Sequence, residues 1–300
     1  MPLPIWKPES SRFPDWLHRT LPRSQEFVYT EETVHKYRLH TVCEEAKCPN
    51  RWECWSQKTA TFLILGRECT RSCGFCAIAF RATPPPPDPQ EPDRIASFVQ
   101  ELDLRYVVLT MVARDDLMDG GAAHLVRVIK AVHALPNKIS LEVLTSDFAG
   151  NREALDQVIE SGVHVFNHNV ETVRSLSSKV RHKADYDRSL AVLQHVAKRK
   201  EVLCVKVKSG LMVGFGETEE QVQETLQDLH QAGCDCVTIG QYVQSHPKKL
   251  KVRSFVTPEQ FEKYREYGIT IGIPIVYSGP FVRSSYHAEK IGFTIHTHQS

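Results

Sequence analysis

Apolar and polar positions along the 300-residue chain fall into two textures. Residues 1–57 are rich in polar and turn-forming types without alternation, which predicts an N-terminal extension with short helices, one of them around 31–37. From Thr59 onward, short runs rich in β-branched residues recur at 59–65, 106–112, 139–144, 163–166, 202–207 and 236–239. Amphipathic stretches follow at 94–102, 122–134, 152–161, 187–198, 219–232 and 259–267. Strands apolar on both faces, separated by such helices, predict an α/β fold with a parallel sheet covered by helices. Six β-then-α units with right-handed crossovers suit a barrel or an incomplete one, with an open doubly wound sheet as the alternative. Cysteines follow the first strand, where a dinucleotide fold would carry its glycine fingerprint. Pro84, Pro85, Pro86, Pro87 and Pro89 predict a stiff extended spacer leading into the first helix.

Composition changes this picture little. Thirty-seven basic and 36 acidic residues leave a net charge of +1, so no global field draws the chain to nucleic acid. Hydrophobic residues at 41% and charged ones at 24% exclude a disordered chain. The first eight residues contain no apolar core of a secretory signal, and no apolar run approaches the ~18 residues of a membrane span. A cytoplasmic protein with neither membrane nor nucleic-acid partners is expected.

Nine cysteines change it more, because six of them lie between 43 and 76. An odd total, so clustered, points to metal before disulfide. Cys69, Cys73 and Cys76 form a C-x3-C-x2-C triplet directly after the first strand. Three thiolates on one tight loop suit three irons of a [4Fe–4S] cluster and leave the fourth iron open to a small molecule. Gly74 is expected to give the loop freedom to fold round the cluster. Structural zinc, the alternative, wants four ligands and usually paired C-x2-C units. Cys43, Cys48 and Cys54 form a second triplet, C-x4-C-x5-C, which alone is ambiguous between zinc and iron–sulfur.

The C-x3-C-x2-C spacing of Cys69, Cys73 and Cys76, with Phe75 just before its last cysteine, resembles the radical S-adenosylmethionine (SAM) superfamily. Both triplets together, with Arg283-Ser284-Ser285-Tyr286-His287-Ala288 near the C-terminus, resemble the lipoyl synthase family over nearly the whole chain. Further matching stretches run from Arg114 to Gly121, Phe166 to Thr172, Lys208 to Gly214 and Thr238 to Tyr242. Ala113, where an acidic residue is expected, and Ser245, where proline is expected, depart from the pattern.

The resemblance implies a partial (β/α)6 barrel of the radical SAM type at 58–270, with extensions at 1–57 and 271–300. It implies two [4Fe–4S] clusters, one on Cys69, Cys73 and Cys76 that chelates and cleaves SAM. The other, on Cys43, Cys48 and Cys54 and capped by Ser285, would donate sulfur. A hydroxyl is a poorer partner for iron than a thiolate, so Ser285 would leave as that cluster is dismantled, a catalytic role. The implied reaction inserts two sulfur atoms at C6 and C8 of a protein-bound octanoyl-lysine. The implied partners are an octanoylated lipoyl carrier domain or the glycine-cleavage H protein, and an electron donor such as flavodoxin or ferredoxin. A radical SAM enzyme acting on tRNA would carry a basic domain, and a non-catalytic zinc scaffold would use the triplets only as staples.

In such barrels ligands meet the C-terminal ends of the strands. Phe75 is expected near the adenine of SAM. Asp119, Gly120 and Gly121 are expected to open a helix N-terminus toward a carboxylate. Asn169 and Glu171 are expected on the ribose hydroxyls, and Lys206 or Lys208 on the methionyl carboxylate. Cys204 reads as a small buried hydrophobe within a strand, and Cys234 and Cys236 as structural. The loop from His246 to Arg253, with four positive charges, is expected to be a solvated loop or a docking surface for an acidic carrier.

Overall fold

The computed structural model describes residues 14–18, 24–56, 61–285 and 288. Seven strands, β1 (Thr61–Ile64), β2 (Tyr106–Met111), β3 (Ser140–Leu144), β4 (Val165–Asn167), β5 (Lys206–Val213), β6 (Cys236–Gln241) and β7 (Ile275–Gly279), form one parallel sheet in chain order. Sequential parallel pairing with a helix in every crossover is a barrel-type winding. The sheet is open: among the described residues, β1 and β7 are edges that do not pair with each other. This is the α/β architecture expected, with one strand more. Thr59, Ala60 and the proline-rich start of the chain lie outside the described residues.

Three helices precede the sheet: α1 (Gln25–Lys36), α2 (Val42–Glu45) and α3 (Arg51–Ser56). Phe27 of α1 stacks on Trp52 of α3 at 4.3 Å, and the Arg51 guanidinium lies 5.1 Å from the Trp55 ring. The edge of β1 is covered by this extension, since Leu63 N donates to His40 O at 2.8 Å.

The crossover helices are α4 (Glu91–Glu101), α5 (Ala122–His133), α6 (Arg152–Ile159), α7 (Tyr186–Ala197), α8 (Glu219–Gln231) and α9 (Pro258–Thr270). Their starts are written locally. Asn151 and Asp185 cap α6 and α7, and Thr218 with Gln221 makes a capping box on α8. Thr257 caps α9, whose first residue is proline.

Two expectations are corrected. The run 202–207 is not a strand: Lys200–Leu203 is a short helix, and Cys204, with φ of 52°, ends it. Val202 is 88% exposed and Cys204 is exposed, not buried in a strand. The fifth strand starts only at Lys206 and runs on through the Lys-Ser-Gly stretch to Val213. Second, the C-terminal segment expected as an extension contributes β7, which pairs with β6 from Cys236↔Ile275 to Gly240↔Gly279.

Under the sheet's upper rim lies a buried ion pair. Lys208 Nζ donates to both oxygens of Glu142, at 2.9 and 3.1 Å, and both side chains are fully buried. Glu142 also accepts from Asn167 Nδ2 and the Tyr106 hydroxyl. Among the described residues, no helix is long and apolar enough to cross a membrane.

Candidate active site

A cavity of about 490 Å³ opens where the C-terminal ends of the strands meet the N-terminal helices and the tail. All six clustered cysteines line it, and so do Ser284 and Ser285. The two triplets, set apart in sequence by the first strand, therefore share one chamber with the serine tail.

The loop carrying Cys69, Cys73 and Cys76 is fastened from below. Arg71, between the first two cysteines, is buried and donates to both oxygens of Asp115 and, at 2.6 Å, to Asp147. Thr70 Oγ1 bridges Ala113 O at 2.9 Å and Asp115 at 3.0 Å. Burial works against ionised Asp115 and Asp147, yet the Arg71 guanidinium holds both below the usual carboxylate range. The backbone N–H of Arg71 also donates to Cys69 Sγ at 3.3 Å.

From above, the 245–250 loop clamps the same segment. Lys249 Nζ donates to Cys73 O at 3.3 Å, and Leu250 N to Gly74 O at 2.9 Å. Ser245 Oγ donates to Phe75 O at 3.4 Å. A Cβ on Gly74 would stand 2.7 Å from Leu250 Cδ1. The glycine makes room for the Leu250 side chain, and it does not use the left-handed conformational freedom expected there. Phe75 lines the cavity and packs with Val180, Phe215 and Tyr242.

The triplet of Cys43, Cys48 and Cys54 sits on α2, its exit and α3. Cys48 N closes a turn onto Cys43 O, and Asn50 Nδ2 donates to Phe281 O at 2.7 Å. That bond fastens the triplet to the tail. The tail crosses β6 so closely that a Cβ on Gly240 would lie 2.0 Å from Val282 O. Tyr286 and His287 lie outside the described residues.

The donor set fits iron–sulfur chemistry. Burial pushes the Cys76 thiol up to about 12, and burial with neighbouring Cys48 does the same to Cys43. Burial also raises Cys73, against the pull of Arg181 and Arg71. Thiols in such surroundings become thiolates only when a cation joins them. Among the described residues, Cys, His, Asp and Glu side chains are nowhere gathered in threes around a point suited to one metal ion. The six thiols stand round the cavity wall.

Asn169 and Glu171, beyond β4, line the cavity, and Asn169 Nδ2 donates to Glu171 Oε1 at 3.1 Å. Burial raises the Glu171 carboxyl despite Arg181, Asn169 and Arg283. Five residues expected in the site lie elsewhere. Lys206 and Lys208 begin β5 instead of ending it, so they lie away from the cavity, and Lys208 is committed to Glu142. Asp119, Gly120 and Gly121 are not in the cavity wall. Asp119 is itself the cap, accepting from Gly121 N at 2.9 Å and Ala123 N at 2.8 Å, so those N–H groups are taken.

Sequence reasoning missed Arg71, Asp147, His168 and Arg181, all buried and all on the cavity wall. Arg71 was legible as the one cation inside the cysteine loop. Asp147 and Arg181 come from separate crossovers and had no local signal.

Comparison with known proteins agrees with this geometry. Residues 63–229 match the radical SAM superfamily, and residues 3–48 match the N-terminal domain of lipoyl synthase of that family. The chain is 57% identical to the lipoyl synthase of Protochlamydia amoebophila (strain UWE25) over 280 residues, covering 93% of this chain and 87% of the relative. It is 52% identical to that of Chlorobaculum tepidum, covering 92% and 94%. In fold it is similar to Streptococcus suis SuiB bound to S-adenosylmethionine, with TM-score 0.56, 13% identity, and coverage of 76% of this chain and 54% of that one. Methylornithine synthase is similar too, with TM-score 0.51, 14% identity, and coverage of 86% and 79%.

Proposed function

The chain belongs to the lipoyl synthase family of the radical SAM superfamily, and from that premise we propose how its cavity works. The reaction inserts two sulfur atoms at C6 and C8 of an octanoyl chain on a lysine of a lipoyl carrier. Those carbons bear unactivated C–H bonds that no side-chain base can deprotonate, so the work of the protein is to position radical chemistry. Two C–H bonds are broken homolytically, so two SAM molecules are consumed per lipoyl group.

Cys69, Cys73 and Cys76 would hold one [4Fe–4S] cluster, and Cys43, Cys48, Cys54 and Ser285 a second, auxiliary one. Bound there, the first supplies, with SAM, a 5′-deoxyadenosyl radical, and the second supplies sulfur. Phe75 would face the adenine, and Asn169 with Glu171 the ribose hydroxyls. The walls of the chamber exclude water and competing hydrogen donors. An octanoylated carrier domain or the glycine-cleavage H protein would deliver the chain, and flavodoxin or ferredoxin the electrons.

The observation that carries this reading is the shared lining: six cysteines and Ser285 around one chamber of small-molecule size. Iron and sulfide analysis of the anaerobic protein tests it, with about eight irons per chain expected for two clusters. Cys73→Ala should abolish SAM cleavage. Cys48→Ala should still cleave SAM but form no C–S bond. Lipoyl product at the wild-type level from Cys48→Ala would overturn the sulfur-donor assignment.

A further inference from the structure

We propose that His168 Nε2, on the cavity wall that Thr145 and Asn169 also line, is an acceptor subsite that takes a neutral N–H or O–H of a bound molecule; it rests on the reading of the cavity given above.

The neighbouring ends of β3 and β4 build it, joined there by Thr145 N donating to Asn167 O at 3.0 Å. His168 Nδ1 lies 2.9 Å from Thr145 O. A carbonyl can only accept, so Nδ1 carries the hydrogen. Burial, with Arg181 and Arg71 close by, pushes the imidazole down to about 4 against the opposing pull of Asp147, so the ring is neutral near pH 7. A neutral ring with its hydrogen on Nδ1 presents a bare lone pair at Nε2. That atom is buried and, among the described residues, accepts from no protein group.

Its neighbours are in the same state. Asn169 uses its Nδ2 on Glu171 and on Ser284, and among the described residues its Oδ1 is left without a partner. Thr145 Oγ1 is buried and has no partner among them either. Each such group costs about 1–3 kcal/mol when left dry, so three on one wall mark a place where a ligand completes the bonding.

Acceptors dominate, so the incoming group is a donor. Two guanidiniums nearby, those of Arg71 and Arg181, disfavour an ammonium. Neutral donors in this reaction are the hydroxyls and amine of the SAM nucleoside and the amide N–H of octanoyl-lysine. An acyl chain or a carboxylate offers none.

Equilibrium dialysis on the reconstituted holoenzyme tests this, with SAM in one arm and an octanoyl-lysine peptide in the other. His168→Asn keeps a donor toward Thr145 O but has no acceptor at the Nε2 position. It should weaken binding about tenfold in one arm, and that arm identifies the donor. His168→Gln, which restores a neutral acceptor there, should stay within about twofold of wild type. Iron content and melting temperature should be alike in the two variants. Equal binding by both variants, at wild-type strength or equally weakened, overturns the subsite, as does Gln weaker than Asn. Wild-type binding of SAM, which the cavity reading requires, is read in the same dialysis independently of the ratio between variants.

Discussion

The side-chain amide of Asn169 donates to the hydroxyl of Ser284 at 3.0 Å. One bond thus joins the end of β4, where the SAM ribose is proposed to sit, to the residue beside Ser285. With Asn50 holding Phe281 O, the tail is fixed ahead of its serines and at the first of them. Ser284 accepts this hydrogen bond, and Ser285 beside it is the proposed iron ligand.

Ser285→Ala should therefore retain most of its iron while losing lipoyl product, because a labile ligand matters more to turnover than to cluster retention. Ser284→Ala should be milder, weakening tail attachment by about 1 kcal/mol. A double-mutant cycle with Asn169→Ala, read by urea unfolding, should show coupling of about 0.5–1.5 kcal/mol. Product loss from Ser284→Ala with a tolerant Ser285→Ala would move the ligand to the neighbouring serine.

The Lys208–Glu142 pair makes a second prediction, about stability and not about SAM. Lys208→Met leaves the Glu142 carboxylate buried with neutral donors alone, and should destabilise by about 3–5 kcal/mol. Adding Glu142→Gln should recover much of that loss, because no unpaired charge remains buried. Thermal or chemical unfolding of the single and double variants decides it. If instead Lys208→Met kept its stability and only lost SAM affinity, Lys208 would belong with the substrate.

The neutral His168 ring gives stability a definite pH dependence. Its pKa is lowered from an ordinary 6.5 to about 4, so the unfolded chain binds a proton in a range where the folded one does not. Stability from this group is complete above about pH 6.5 and falls as pH drops toward 4, by on the order of 3 kcal/mol. Arg181 and Arg71 enlarge the effect and Asp147 reduces it. Asp115 and Asp147, held low by Arg71, lose their contribution only at still lower pH. His168→Gln should therefore flatten the wild-type decline between pH 6.5 and 4, measured by denaturant midpoints. Parallel slopes for the two proteins would show that His168 is already protonated in the fold.

How much of this was written in the sequence depends on the distance over which each signal acts. The β-then-α rhythm and the cysteine spacings are local, and the strands at Tyr106–Met111 and Cys236–Gln241 start where the pattern places them. The fifth strand failed because Val202 to Val205 is an apolar run used as a helix turn, with Cys204 in the left-handed region. That error moved Lys206 and Lys208 to the wrong end of a strand and so into the site. β7 was missed because a short half-buried edge strand has little alternation. The anchors of the cysteine loop, Asp115, Asp147 and Lys249, converge from three separate connections, which no periodicity reports.

The last prediction separates two lysines that are neighbours in sequence. Lys249 is tied to Cys73 O, whereas Lys248, Lys251 and Arg253 are exposed. Exposed charges change encounter rates and salt dependence more than bound-state energetics. If these three steer an acidic carrier domain, Lys248→Ala should raise the apparent Michaelis constant for octanoylated carrier. The rise should shrink with added salt, as the Debye length falls below its ~10 Å at 0.1 M. A short octanoyl-lysine peptide, lacking an acidic surface, should be turned over equally by Lys248→Ala and wild type. Lys249→Ala should behave differently, slowing carrier and peptide alike at every salt concentration, because it loosens the loop that presents Cys73. Equal losses with carrier and peptide for Lys248→Ala would show that its charge shapes the site, and steering by this loop would be ruled out.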